Sequence, residues 1–96
     1  MPRYLSLEKE VLIFENRSAT GNTKMRVPLS PQSVESVNAT QVPGTNELRL
    51  LELNTPMRGR LIFGTKHGDA QDVLAKILEI CKSKGIEMNI TAEAAD

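Results

Sequence analysis

A single amphipathic helix near the C-terminal end, entered almost directly from a strand, most constrains the fold of this chain. Residues 60–65 (Arg-Leu-Ile-Phe-Gly-Thr) have the composition of a strand, and the helix is predicted over residues 69–84. Upstream of them, the sequence shows only short strand-like segments divided by turn residues. One helix has to cover one end of an antiparallel sheet in such a chain. The order therefore predicts a mainly β fold with one C-terminal α-helix.

The helix prediction rests on a periodic apolar stripe and on residues typical of both helix ends. Asp69 is a candidate N-cap, and Gly85 suits the left-handed position that ends many helices. The apolar residues follow an i, i+1, i+4, i+5, i+8 spacing, which is one face of a 3.6-residue repeat: Val73, Leu74, Ile77, Leu78 and Cys81. Burying the four branched aliphatic residues contributes roughly 6–12 kcal/mol before entropy is subtracted. A charge at Leu74 or Ile77 is therefore expected to unfold the domain.

Alternating apolar residues and turn chemistry predict the strands. The predicted strands are residues 3–8, 11–15, 24–30, 34–39, 47–53 and 60–65, with an additional short strand at 86–90 after the helix. Residues 16–23 are predicted to be a polar loop, and Pro28 places the third strand at a sheet edge or near the strand's own end. The second strand is apolar on both faces, which predicts a sheet covered on two sides, as in a small barrel or a sandwich.

Length and charge limit the classes of function. The 96 residues predict one domain, with a core over residues 3–90 and a frayed tail over residues 91–96. The 12 basic residues equal the 12 acidic residues, which argues against a nucleic-acid partner held by overall charge. Cys81 is the one cysteine and falls on the apolar stripe, so we expect a buried thiol. Without an apolar span or signal segment, we expect a cytoplasmic protein, with peripheral association at a membrane or the cytoskeleton left open.

The order of these segments resembles a pleckstrin-homology (PH-like) domain. The similar segments are Arg3-Tyr-Leu-Ser-Leu-Glu and Glu10-Val-Leu-Ile-Phe-Glu-Asn (second and third strands of that family), Arg26-Val-Pro-Leu-Ser and Ser33-Val-Glu-Ser-Val (fourth and fifth), residues 47–53 and 60–64 (last hairpin) and Gly68-Asp-Ala-Gln-Asp-Val-Leu (closing helix). The resemblance covers about residues 3–84. It implies a partly open antiparallel barrel capped by the helix.

Two departures from that family accompany the resemblance. The family's first strand has no counterpart before Arg3, and the Trp often found in its closing helix is absent, with Val73 nearest to that position. A barrel that lacks one strand exposes an unpaired edge, which can recruit a partner strand or a second copy of the chain.

Arg17, Lys24 and Arg26 are the first set of candidate ligand-binding residues. Lys24 and Arg26 point to the same face of a strand, and amides of the predicted loop before them can cradle a phosphate. The pattern resembles the basic-x-basic sequence of phosphoinositide-binding PH domains, although the main lipid site of that family lies at the connection between its first and second strands. The competing interpretation, which we favour, is a pair of solvated cations that protect an edge strand.

Arg58, Arg60 and Lys66 form a second basic set. They can bind an acidic partner, but simple solvation at the surface is the favoured interpretation. Gly59, between the two arginines, is expected to form the turn of a hairpin.

The sequence contains no recognisable catalytic constellation. His67 lies near Asp69, but no Ser or Cys nucleophile can be placed beside it, and one His without a His or Cys companion is a poor metal site. We therefore expect no cofactor and no enzymatic activity. The predicted function is an interaction or scaffolding module that binds a protein partner through an edge strand or a helix groove, or that self-associates as a homodimer. The alternative is membrane recruitment through an anionic phosphoinositide headgroup.

Overall fold

A computed structural model describes residues 3–18, 20–45, 48–64 and 71–92. Within these ranges, seven strands and one helix follow one another along the chain. Their bounds are β1 (Arg3–Glu8), β2 (Val11–Ser18), β3 (Gly21–Pro28), β4 (Ser36–Gln41), β5 (Leu48–Thr55), β6 (Gly59–Gly64), α1 (Gln71–Lys84) and β7 (Glu87–Ala92). The prediction of a mainly β fold with one helix toward the C-terminus is confirmed.

The strands form two sheets. The first is an antiparallel meander in the order β1-β2-β3, and the second has the order β6-β5-β4-β7. Across the described strands, no strand of one sheet is hydrogen-bonded to a strand of the other. The arrangement is therefore a partly open sandwich rather than a closed barrel.

The last strand departs from the expected antiparallel pattern, because β7 pairs parallel with β4. Both β4 and β6 run antiparallel to β5, so they share one direction. The connection through α1 returns the chain to the end of the sheet where β6 began, and β7 then runs in the same direction as β6 and β4. A helical crossover of this kind is the usual way to reach a parallel partner.

Residues 16–23 are not the polar loop that the sequence predicts. Residues 16–18 continue β2 and residues 21–23 begin β3, so that Arg17 lies opposite Asn22 and Ser18 lies opposite Gly21. Gly21 has a φ of 143°, which suits the entry to the new strand. Backbone pairing holds this end of the hairpin beyond the core, where Asn16, Asn22 and Thr23 are exposed, so the loss of apolar alternation did not mark the end of the strand.

One core connects both sheets with the helix. Its buried members come from the first sheet and the segments after it (Leu12, Phe14, Val27, Leu29, Val34), from the second sheet (Val37, Ala39, Leu48, Leu51, Leu53) and from the helix and its exit (Leu74, Ile77, Cys81, Ile86). The ring of Phe14 in β2 stacks on the ring of Phe63 in β6, with centroids 3.4 Å apart and planes 12° apart. The two sheets therefore face each other across this core.

The second face of β2 is buried at Ile13, as the sequence indicates. Ile13 alternates with Leu12 and Phe14 and lies opposite Ser6 and Arg26 on the neighbouring strands, yet it is 7% exposed.

The end of the helix has the geometry that its sequence predicts. Gly85 has a φ of 72°, and the amide of Ile86 donates to the carbonyl oxygen of Cys81 at 2.9 Å. This bond and the left-handed glycine form a Schellman motif, in which Ile86 packs into the core with Cys81. Lys84 forms an ion pair with Glu10, so the helix end also contacts the β1–β2 turn. The predicted N-cap, Asp69, lies outside the described residues.

The buried thiol and the additional strand are confirmed, whereas the extent of the tail is corrected. Cys81 is buried, and desolvation raises the pKa of its thiol. The strand predicted at 86–90 is present as β7 and continues to Ala92, which pairs with Gln41. Residues 91 and 92 therefore belong to the sheet rather than to a frayed tail, because β4 offers them backbone partners.

Candidate binding surface

Two members of the first basic set, Lys24 and Arg26, lie on the outer face of the β2–β3 hairpin. Lys24 and Arg26 are exposed and lie opposite Glu15 and Ile13, respectively. Nζ of Lys24 is 3.9 Å from Oε2 of Glu15, which offsets one of the positive charges. The backbone of Arg17 belongs to the same hairpin, but its side chain lies outside the described part of the structure.

The segment that is predicted to form a phosphate-binding loop belongs largely to β2 and β3. Because residues 16–18 of β2 pair with residues 21–23 of β3, much of this segment's backbone is engaged in the strand ladder. What remains is a pair of cations on a solvent-facing strand, with a carboxylate beside one of them.

The members of the second basic set lie in different elements at the β5–β6 turn. Arg58 lies in the turn, Arg60 lies in β6, and Lys66 is outside the described residues. The hydroxyl of Thr55 accepts the amide of Arg58 at 3.0 Å and donates to the carbonyl of Gly59 at 2.8 Å. Gly59 has a φ of 70°, so it forms the turn as the sequence predicts. These contacts fix the tip from which β6 begins.

Arg60 is the last member of a chain of polar contacts across the outer face of the four-stranded sheet. Asn89 donates to Oδ1 of Asn38 at 3.1 Å, and Asn38 donates to Oε2 of Glu52 at 3.0 Å. The other oxygen of Glu52, Oε1, lies 3.5 Å from Nε of Arg60. The chain therefore links β7, β4, β5 and β6, and it holds the Arg60 guanidinium over its own sheet.

Two of the exposed large apolar side chains belong to the β5–β6 hairpin. Met57 in the turn is 90% exposed and Ile62 in the middle of β6 is 49% exposed, whereas Ile90 in β7 is 38% exposed. Ile62 lies opposite Glu52 on the outer face, while its neighbours Leu61 and Phe63 pack against the core. Ile62 is therefore the exposed apolar side chain at the centre of β6.

We define the β6 edge as residues Gly59–Gly64. Within the described ranges, β6 is hydrogen-bonded to β5 on one side, and no strand pairs with its other side. An edge strand presents unpaired N–H and C=O groups on that side. The β6 edge contains no proline, and its one charged side chain, Arg60, is engaged by Glu52.

The other edges differ from the β6 edge in the residues that they present. The β3 edge carries Lys24 and Arg26 and ends at Pro28, so the prediction that Pro28 marks an edge or a strand end is confirmed. Charges and proline are common protection against unwanted strand pairing. The β7 strand contacts α1, and Ser6 and Glu8 on the outer face of β1 are exposed.

Sequence reasoning missed Ile62 as a surface residue. The signal was present in Arg60-Leu-Ile-Phe-Gly, because inward Leu61 and Phe63 require an outward Ile62 by strand alternation.

Neither a metal cluster nor a membrane-spanning helix is found in the described parts of the chain. No three His, Cys, Asp or Glu side chains there are placed to hold a metal ion. No helix there has the length and the apolar character that are needed to cross a membrane.

Comparison of the chain with protein-family models, with curated proteins and with solved structures finds no match. The resemblance to PH-like domains therefore stays a prediction.

Proposed function

We propose that this chain is a non-enzymatic protein-binding module that accepts an extended partner segment at the β6 edge by strand addition. The observation that carries the proposal is that β6 is an edge strand. Ile62 at its centre is 49% exposed, and no described strand pairs with β6 on the side away from β5. Backbone hydrogen bonds supply affinity in this mode of recognition, and alternate side chains supply specificity.

The side chains of β6 indicate which partner segment fits. A partner strand would meet Ile62 on the outer face and the half-buried Leu61 and Phe63 on the inner face. Cross-strand apolar pairs each contribute about 0.2–1 kcal/mol relative to alanine. The favoured partner is therefore a short segment without proline that carries apolar residues on both faces at its centre.

Recruitment to an anionic lipid headgroup is the second candidate function. Its support is the exposure of Lys24 and Arg26 on one face of β3. Glu15 reduces the positive charge at that face, which weakens the attraction for a phosphate.

Peptides selected from a random linear phage library against the folded chain test the proposal. We expect the Ile62→Lys variant to bind a selected peptide at least about tenfold more weakly, because a lysine at the centre of an edge strand opposes strand addition. The fold should tolerate this change, since Ile62 is half-exposed opposite Glu52. The matched control is the double variant Lys24→Ala, Arg26→Ala, for which we expect an unchanged affinity by fluorescence anisotropy.

The same variants distinguish the two candidate functions. Equal peptide affinity for wild type and Ile62→Lys would contradict the proposal. Flotation with phosphatidylcholine vesicles, with and without phosphatidylinositol bisphosphate, tests the alternative. Binding that requires the bisphosphate lipid and disappears in the Lys24→Ala, Arg26→Ala variant would favour the headgroup function.

A further inference from the structure

We infer that the β6 edge pairs with the β6 edge of a second copy of this chain, antiparallel, about a two-fold axis at Ile62. The inference rests on the proposed function and names the partner.

Sheet faces restrict the register of such a pair. Opposite residues of an antiparallel pair lie on the same face of the sheet. A two-fold axis perpendicular to the sheet keeps the inner faces of both copies on one side and their outer faces on the other. The axis must then lie midway between the two copies of one residue. Every other residue then meets one that is an even number of positions away in the sequence. In β6, the candidates near the strand centre are Leu61, Ile62 and Phe63.

The register centred on Ile62 gives the best side-chain match. Ile62 meets Ile62 of the second copy on the outer face, and Leu61 meets Phe63 of the second copy on the inner face. Arg60 meets Gly64 of the second copy. An axis at Leu61 would place Arg60 against Ile62, and an axis at Phe63 would place Ile62 against Gly64, so both leave the exposed isoleucine poorly covered.

The chosen register also leaves space for its one charged side chain. No heavy atom lies within 4 Å of the Cβ position that a side chain at Gly64 would occupy. Arg60 of the second copy therefore meets no side chain at Gly64 and can keep its contact with its own Glu52.

Charge does not oppose association at this edge. The formal net charge of the chain is +0, so two copies do not repel each other at long range. In the proposed pair the two Arg60 residues are offset by four positions, about 14 Å along the strands. A two-fold pairing of the β3 edge at Met25 would instead place Lys24 opposite Arg26, which like-charge repulsion disfavours.

The contact is small, so the dimer should be weak and dependent on concentration. Five residues from each copy, 60–64, pair over about 17 Å. Such a strip buries less than the roughly 800 Å² per partner of a standard interface. A dissociation constant between about 1 µM and 1 mM is consistent with that size.

Cysteine crosslinking of the full chain tests both the edge and the register. Opposite residues of an antiparallel pair have Cα atoms about 4.5–5.5 Å apart, within the range that a disulfide spans. We expect an Ile62→Cys variant at about 100 µM to form a disulfide-linked dimer in oxidised glutathione at least about tenfold faster than Arg60→Cys. Both positions are exposed on the same strand, and the wild-type chain controls for Cys81, which is buried.

Four results are informative. Faster crosslinking of Ile62→Cys, together with a wild-type mass that rises with concentration in light scattering, supports the inference. Equal crosslinking rates for the two variants, or a monomer mass up to about 1 mM, would overturn it. If the chain is monomeric but a selected peptide still loses affinity in Ile62→Lys, the self-pairing fails and the proposed function stands. If that peptide is also insensitive to Ile62→Lys, both fail.

Discussion

The Ile77→Asp variant is expected to be unfolded at 25 °C. Ile77 is 0% exposed in the middle of α1, within the core that joins the helix to both sheets. Loss of its apolar contacts alone costs about 2–5 kcal/mol, and a buried carboxylate without a partner adds several more. A domain of this size is stable by about 5–15 kcal/mol, so little or no net stability remains.

Circular dichroism and urea titration measure this effect. We expect the variant to lose the cooperative transition of the wild type and to show a far-ultraviolet spectrum of a disordered chain. The control is Lys76→Ala, an exposed neighbour on the same helix, which should change the free energy of unfolding by less than about 0.5 kcal/mol. A cooperative Ile77→Asp transition close to that of the wild type would show that α1 does not complete the core.

Replacement of Phe14 by alanine is expected to lower the free energy of unfolding by about 3–5 kcal/mol. Phe14 is 7% exposed, and its ring stacks on Phe63 of the opposite sheet. Phe63→Ala should cost less, because Phe63 is half-buried. Since each ring contacts the other, their effects should not add: stacked aromatic pairs contribute about 0.5–1.5 kcal/mol beyond their buried area.

A double-mutant cycle in urea isolates this contact. The Phe14→Ala, Phe63→Ala variant should lose less stability than the two single variants together, by about the stacking energy. The control cycle combines Phe14→Ala with Ile62→Ala, on the opposite face of β6, and should be additive within about 0.5 kcal/mol. Additive effects of the two phenylalanines would contradict the packing of β2 against β6.

The sequence predicts elements of this fold that carry their own local pattern. The stripe around Leu74 and Ile77 marks the helix, and Gly85 marks its end, because helix period and left-handed caps are local features. The β5–β6 hairpin is marked in the same way by Gly59 and the strands on either side of it.

Features that depend on distant partners could not be predicted in this way. Alternation in residues 86–90 indicates a strand but not its neighbour, so the parallel pairing with β4 needed the three-dimensional structure. Residues 16–18 and 21–23 are held together by backbone pairing rather than by apolar side chains. Their polar sequence is typical of a loop, which is why a loop is predicted there. Whether Lys24 and Arg26 act as a ligand site depends on what faces them, which their spacing does not specify.

The candidate surface was only partly accessible from the sequence. An unpaired edge was expected from the strand that the PH-like resemblance lacks, whereas its position at β6 follows from the sheet order and from the engagement of Arg60 by Glu52. Exposure of Ile62 depends on what covers the outer face of the second sheet. In the described part of the chain, polar contacts among Asn89, Asn38 and Glu52 lie on that face.

Amide hydrogen exchange measured residue by residue tests most directly whether the β6 edge accepts an added strand. The amides of Gly59–Gly64 that point away from β5 should exchange at least about tenfold more slowly when a selected peptide is bound at saturation, because strand addition gives them hydrogen-bond partners. The outward amides of β3 should keep their exchange rates. Unchanged exchange along β6, with new protection at β3 or another edge, would contradict the proposal.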